Sequence, residues 1–194
     1  MSESAQAVDW QARYAAGTTP WERAEPNPAF LSWRASAVLT PGRILVPGAG
    51  RSREPLLLAE AGFTVTVVDA APDAVAAQQA ALAGFEACVE QADLLGWDAP
   101  LPFDAIYDQT CLCALPPAVW PAYVARLALW LRPGGVLAVL FMQTGQGGGP
   151  PFHCDLAQMR HLFAADGWAW PDSLQATIGH PNGLFEQPVA LRRR

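Results

Sequence analysis

The stretch that most constrains the fold is Arg43-Ile44-Leu45-Val46-Pro47-Gly48-Ala49-Gly50, followed by Thr64-Val65-Thr66-Val67-Val68-Asp69. It reads as an apolar strand, a glycine turn, a helix, a second apolar strand and an acid at that strand's end. Glycine at 48 and 50 lets the backbone turn tightly and approach a ligand where a Cβ would intrude. Asp69 lies 21 residues past Gly48. At about that spacing a carboxylate can hold the ribose hydroxyls of a nucleoside. Asp69 can also serve as a cap for the helix after it. The strand, turn, helix, strand order around it favours the ribose.

The dinucleotide pattern is incomplete. Arg51, Ser52, Arg53 and Glu54 follow Gly50, so the third glycine, which serves close packing beside a pyrophosphate, is missing. The unit therefore points to an adenosine-containing cofactor without a pyrophosphate, S-adenosylmethionine. A nicotinamide-dependent oxidoreductase is the rival, and a chain of 194 residues leaves it no room for a full second domain.

Strand and helix signals alternate through the rest of the chain, so an α/β fold with a mostly parallel sheet covered on both faces is expected. Strands are read at 44–46, 64–68, 85–90, 103–107 and 136–142. Helices are read at 8–16, 54–60, 72–83, 117–131 and 155–165, the last capped by Asp155. Asn27-Pro28 is an N-cap followed by proline at the first helical position, and that helix is expected to run to about Leu39. The end of the chain differs. Residues 167–177 and 184–191 read as strands joined by Gly179-His180-Pro181-Asn182-Gly183, a turn that allows only antiparallel pairing. The expectation is one Rossmann-like domain over 1–194 with a seven-stranded sheet closed by a C-terminal antiparallel hairpin.

Composition narrows the function. Hydrophobic residues make up 52% and charged residues 15%, enough for a sizeable core and wrong for a disordered chain. A net charge of −6 argues against a nucleic-acid surface, despite the Arg192-Arg193-Arg194 end. All 12 basic residues are arginine, which excludes a lysine Schiff base or lysine base. The first residues lack the apolar core of a signal peptide. The apolar run from Val124 to Met142 is broken by Arg132-Pro133-Gly134-Gly135, so it reads as helix, turn and strand and not as a membrane span. Cys88, Cys111, Cys113 and Cys154 read as free thiols in a reducing cytoplasm. No Gly-x-Ser-x-Gly elbow is present, which speaks against a hydrolase. Cys111 and Cys113 share a face if that stretch is extended, but no spaced Cys or His pair supports a metal, so core packing is the expected role.

Several segments, in order, carry a family resemblance. Trp10-x-x-x-Tyr14 with Gly17-x-x-Pro20-Trp21 resembles the amino-terminal signature of the thiopurine S-methyltransferase superfamily. Val46-Pro47-Gly48-Ala49-Gly50 is similar to that family's first cofactor motif, which more often has cysteine at the place of Ala49. Gln91 to Trp97, Phe103 to Asp108, Leu112 to Pro116 and Gly148 to Phe152 resemble its later segments. Within the superfamily the chain is most similar to the halide, thiocyanate and thiol methyltransferases.

The resemblance implies a class I methyltransferase fold, S-adenosylmethionine as cofactor, and residues 1–40 as a helical lid segment. It implies that Trp10, Tyr14 and Trp21 lie over the cofactor and that Gly48 and Gly50 sit beneath its methionine and ribose part. Asp69 would hold the ribose, with Ala70, Asp93 and Leu94 around the adenine and Asp108 near the methionine end. Trp21, Cys111 and Phe152 would line the substrate pocket. Without the resemblance, the aromatics read equally as an amphipathic packing segment, and Asp93 and Asp108 as loop carboxylates.

Methyl transfer from a sulfonium is an in-line displacement, so the protein needs no covalent nucleophile. Aromatic faces against the cation are worth about 0.5–2 kcal/mol each. A soft acceptor such as a thiol, thiocyanate, halide or thiopurine-like sulfur needs no strong base. An oxygen or nitrogen acceptor on a small molecule is the alternative and would want a base in reach. His153 is the candidate base. His161 and His180 read as structural or exposed. A non-catalytic binding protein is the remaining alternative.

Overall fold

The computed structural model describes residues 8–194. Arg43–Pro47 (β1), Thr64–Asp69 (β2), Ala87–Gln91 (β3), Phe103–Gln109 (β4) and Leu131–Gln143 (β5) are the parallel strands. Trp168–Ala169 (β6), Ile178–Gly179 (β7) and Phe185–Arg193 (β8) complete the sheet in the order β3-β2-β1-β4-β5-β8-β6, with β7 also paired to β8. β8 runs antiparallel to β5.

The sheet has eight strands where seven were expected: of the expected strand at 167–177 only β6 forms, and the short β7 is added just past its end. β6 pairs with Arg192 and Arg193 of β8, and β7 pairs with Phe185 and Glu186 near its start. Between them Pro171 lacks a ladder N–H. Trp170 also turns inward, its indole donating to the Phe163 carbonyl at 2.9 Å.

The helices are Trp10–Ala15 (α1), Pro28–Ala35 (α2), Glu54–Glu60 (α3), Pro72–Ala81 (α4), Cys111–Ala114 (α5), Trp120–Trp130 (α6) and Leu156–Leu162 (α7). Asn27 caps α2, its side-chain oxygen accepting from the Ala29 N–H at 2.9 Å. That helix stops at Ala35, short of the expected Leu39, where Ala37 takes a left-handed φ of 55° and the Val38 and Leu39 amides both turn back to the Trp33 carbonyl.

Strand alternation divides the core between the two faces of the sheet. Ile44 and Val46 of β1 pack with Phe30, Trp33, Leu58 and Tyr107. Leu45 points the other way, into the larger cluster with Trp120, Tyr123, Leu127 and Trp130 of α6. Both faces are thus covered, as near-continuous apolar strands require. The chain leaves β1 toward β2 on one side and returns to β4 on the other. At that reversal the connections diverge and leave a crevice at the strands' C-terminal ends.

Candidate functional site

The crevice is built first from the glycine turn. Gly48 and Gly50 both have φ of +56°. A Cβ on Gly48 would stand 2.9 Å from the Cys111 sulfur, and one on Gly50 would stand 2.6 Å from the Tyr14 hydroxyl. Conformation and space therefore both demand glycine. The Gln78 side-chain amide donates to the Gly50 and Ser52 carbonyls, each at 2.9 Å, and pins the turn to α4.

Asp69 ends β2 beside that turn. Its Oδ2 accepts from the Gly50 N–H and its Oδ1 from the Ala71 N–H, both at 2.9 Å. Burial raises its pKa, and those backbone donors oppose the shift. Each oxygen keeps a second acceptor position. Asp69 is thus both a strut of the glycine turn and a candidate ligand.

Three aromatic side chains cover the turn. α1 begins at Asp9, whose carboxylate caps it through the Ala12 N–H, and Gln11 accepts from the Asp73 N–H at 3.0 Å to dock it on α4. Trp21 meets Trp10 and Tyr14 edge-on, with ring centroids 5.5 and 5.9 Å away. The Arg51 guanidinium lies 4.6 Å over the Tyr14 ring. Burial, then the charge of Asp69, push the Tyr14 pKa up to about 12, so its hydroxyl is a neutral donor.

β4 supplies the floor. After Thr110, at φ 64°, the chain makes the short helix α5 instead of an extended stretch. Asp108 causes this. Its Oδ1 accepts from the Cys111 and Leu112 N–H groups at 3.0 and 3.3 Å, and its Oδ2 from the Tyr123 hydroxyl at 2.9 Å. Burial raises its pKa to about 6. Burial also pushes the Cys111 and Cys113 thiols well above the usual range, so both stay protonated.

One cavity brings together Trp10, Tyr14, Trp21, Gly48, Gly50, Asp69, Ala70, Asp93, Leu94 and Cys111. Three expected site residues stand off its wall. Asp108 is fully buried beneath the floor, where its oxygens hold α5. Phe152 turns back under Gly149, its N–H donating to the Cys113 carbonyl at 2.7 Å, and its ring packs on the large core cluster. Pro150 and Pro151 of the same loop reach the cavity instead. His153 spends Nδ1 on the Thr144 and Gly145 N–H groups at 3.1 and 3.3 Å, bracing the glycine-rich loop.

Two residues given no site role from the sequence line the cavity: Arg23 and His180. Arg23 Nη2 donates to Glu186 at 2.6 Å and to the Gly179 carbonyl at 2.7 Å. Glu186 also accepts from the Asn27 side chain at 3.1 Å, and Glu54 accepts from the Asn27 N–H at 2.8 Å. This buried network joins the amino-terminal segment to the C-terminal hairpin. His180, read from sequence as structural or exposed, is only 6% exposed. The available signal was the His-Pro-Asn-Gly turn, which sets a ring and an amide two residues apart.

Among the described residues no cluster of three or more His, Cys, Asp or Glu side chains is placed to hold a metal, and no helix is long and apolar enough to cross a membrane.

A mostly parallel sheet with the reversed strand β8 before its last edge, and a glycine turn at the crevice, defines a class I methyltransferase fold. The solved Burkholderia thailandensis 1,6-didemethyltoxoflavin-N1-methyltransferase, with bound 1,6-didemethyltoxoflavin and S-adenosylhomocysteine, shares it at a TM-score of 0.74 and 24% identity, over 94% of this chain and 84% of that one. A family model for thiopurine S-methyltransferase matches residues 5–187. A thiopurine S-methyltransferase of Legionella pneumophila (strain Corby) is 31% identical over 164 residues, 74% of each chain. A probable thiol methyltransferase 2 of Arabidopsis thaliana is 29% identical over 160 residues, 79% of this chain and 70% of that one. The chain therefore belongs to the thiopurine S-methyltransferase family, as an S-adenosylmethionine-dependent methyltransferase. Its crevice fits that donor, since the glycine cradle excludes any Cβ and Asp69 keeps free acceptor positions beside it.

Proposed function

We propose that the enzyme methylates a small soft nucleophile, a thiol or similar sulfur acceptor, with thiocyanate and halide in the same class. The observation that carries this is the wall at the ends of β4 and β5. Cys111, Cys113, Leu115, Met142, Pro150 and Pro151 give it a largely apolar or polarisable surface, with Gln109 and Thr110 at the end of β4 as its polar members. Soft nucleophiles lose little hydration on entering such a wall. The protonated Cys111 and Cys113 thiols are poor nucleophiles and do not compete for the methyl group.

Gly48 and Gly50 cradle the donor, Asp69 takes its ribose, and Ala70, Asp93 and Leu94 surround the adenine. The Leu95 N–H occupies one Asp93 oxygen at 3.0 Å, which leaves the other for an amino group. Trp10, Tyr14 and Trp21 close over the site and keep water out. When bound, the donor supplies an electrophilic methyl group, and the protein's part is to orient and enclose. Four free cysteines suit a reducing cytoplasm, the proposed compartment. We read residues 1–194 as a single domain in which α1 and the turn at Trp21 form the lid; the expected lid to residue 40 is too long, because Phe30, Trp33 and Leu39 are buried in the core.

Turnover of iodide, thiocyanate, simple thiols, an alcohol and an amine tests the reading. Thiols are expected to be methylated, and the alcohol and amine to be at least about 100-fold slower without a base strong enough to activate them. Turnover confined to the oxygen or nitrogen acceptors sinks it. The lid has its own test. A broad-specificity protease is expected to cut near exposed Gly17 in the free protein and at least several-fold more slowly with saturating S-adenosylhomocysteine. Cutting at an unchanged rate removes the lid.

A further inference from the structure

We propose that His180 receives the methyl acceptor: its Nε2 accepts a hydrogen bond from the S–H of a neutral thiol, selecting a protonated sulfur over a bare anion. This deepens the function proposed above and rests on it.

The tautomer follows from the hairpin. His180 Nδ1 lies 2.5 Å from the Asn182 side-chain oxygen. The Leu184 N–H donates to that same oxygen at 3.1 Å, which fixes it as oxygen and not the amide nitrogen. An oxygen can only accept from Nδ1, so the ring proton sits there. The Asn182 N–H is also 3.3 Å from Nδ1, and the shorter contact decides. Nε2 is then left with a lone pair, buried and without a partner. A buried acceptor left unpaired is costly, so a donor is called for.

The ring does not supply its own proton. Burial holds the His180 pKa below its usual value, and Asn182 opposes this only in part. The charge acting on it is Arg23, from the amino-terminal segment, itself paired with Glu186 of β8. The ring is thus neutral near pH 7 and can only accept at Nε2. Arg23 adds the complement. It bonds the carbonyl of Gly179, the residue before His180, and its Nε is a buried donor without a partner. Both residues line the cavity, so one wall holds an unpartnered acceptor and an unpartnered donor, each buried and reached only as these side chains yield to an acceptor. A thiol answers both, giving its S–H to Nε2 and a sulfur lone pair to Arg23. Iodide or thiocyanate satisfies Arg23 and sets negative charge against the Nε2 lone pair. Proton transfer along the first bond breaks S–H, leaves the electron pair on sulfur and places the proton on Nε2. The proton passes to water after the product leaves.

The test is calorimetry at pH 7 on protein saturated with S-adenosylhomocysteine, with ethanethiol or iodide as titrant, for the wild type and His180→Phe. The variant is expected to bind ethanethiol about tenfold more weakly, the worth of one hydrogen bond, and iodide within about threefold. The second readout needs no variant. In wild-type protein labelled with 15N, the Nε2 resonance is expected to move when ethanethiol saturates the site and to stay fixed with iodide. Unchanged thiol affinity in a folded His180→Phe overturns the proposal, and so does a stationary Nε2 resonance at saturating thiol. Failure of the wild type to bind S-adenosylhomocysteine overturns the methyl-transfer reading itself, and is seen before any acceptor is added.

Discussion

Asp69→Ala is expected to weaken S-adenosylmethionine binding by about 30- to 150-fold, or about 2–3 kcal/mol, the scale of hydrogen bonds to a charged group. Two effects add. The ribose loses its acceptors, and the Gly50 and Ala71 N–H groups lose theirs. The second effect loosens the turn that must stay at positive φ beneath the ligand. Asp69→Asn separates them, because an amide oxygen can keep one backbone N–H while the charge is gone. The asparagine variant is expected to fall between wild type and alanine. Calorimetry with S-adenosylmethionine reads the affinity, and thermal unfolding reads the turn. An alanine variant that is folded and binds as tightly as wild type discards the ribose assignment.

Much of this site was legible because it depends on backbone conformation. A glycine at positive φ and an acid at a strand end leave direct marks on the sequence, and Gly48, Gly50 and Asp69 meet as their spacing foretold. The parallel order followed from apolar strands alternating with helices. What escaped depends on contacts between distant segments. Arg23 and Glu186 are 163 residues apart, and neither has a local pattern that announces the other. His180 sits in a sequence that reads as an ordinary turn, and nothing local announces that Arg23 bonds the neighbouring Gly179 carbonyl and ties the turn to the amino-terminal segment. His153 and Phe152 follow a Gly-Pro-Pro run that marks a loop without fixing which side chains face inward. No element is read from the stretch after Asp108, because a four-residue helix held by one buried carboxylate has no periodicity to detect.

That carboxylate gives the second large effect, a change in stability with pH. Burial pushes the Asp108 carboxyl up to about 6 in the folded protein from its ordinary value of 3.8. Between those values the native state holds a proton that the unfolded chain has lost. Stability therefore falls as pH rises through that window, by about 3 kcal/mol for a shift of roughly two units, and levels off above it. Asp108→Asn cannot ionise. Its carbonyl can still accept from the Cys111 and Leu112 N–H groups, and the Tyr123 hydroxyl can turn to accept from its amide. The variant is expected to lose this descent, so the gap between the two stability curves shifts by about 2.4 kcal/mol in the variant's favour from pH 4 to pH 7.5. Urea unfolding across that range measures it, and parallel curves for the two proteins would refute the assignment. Asp108→Ala strands all three donors, each costing about 1–3 kcal/mol when buried unpaired, and is expected to fall below the asparagine variant at every pH. With α5 no longer held, the Cys111 sulfur is expected to shift from its place under Gly48, and calorimetry is expected to show weaker S-adenosylmethionine binding although Asp108 stands off the cavity wall.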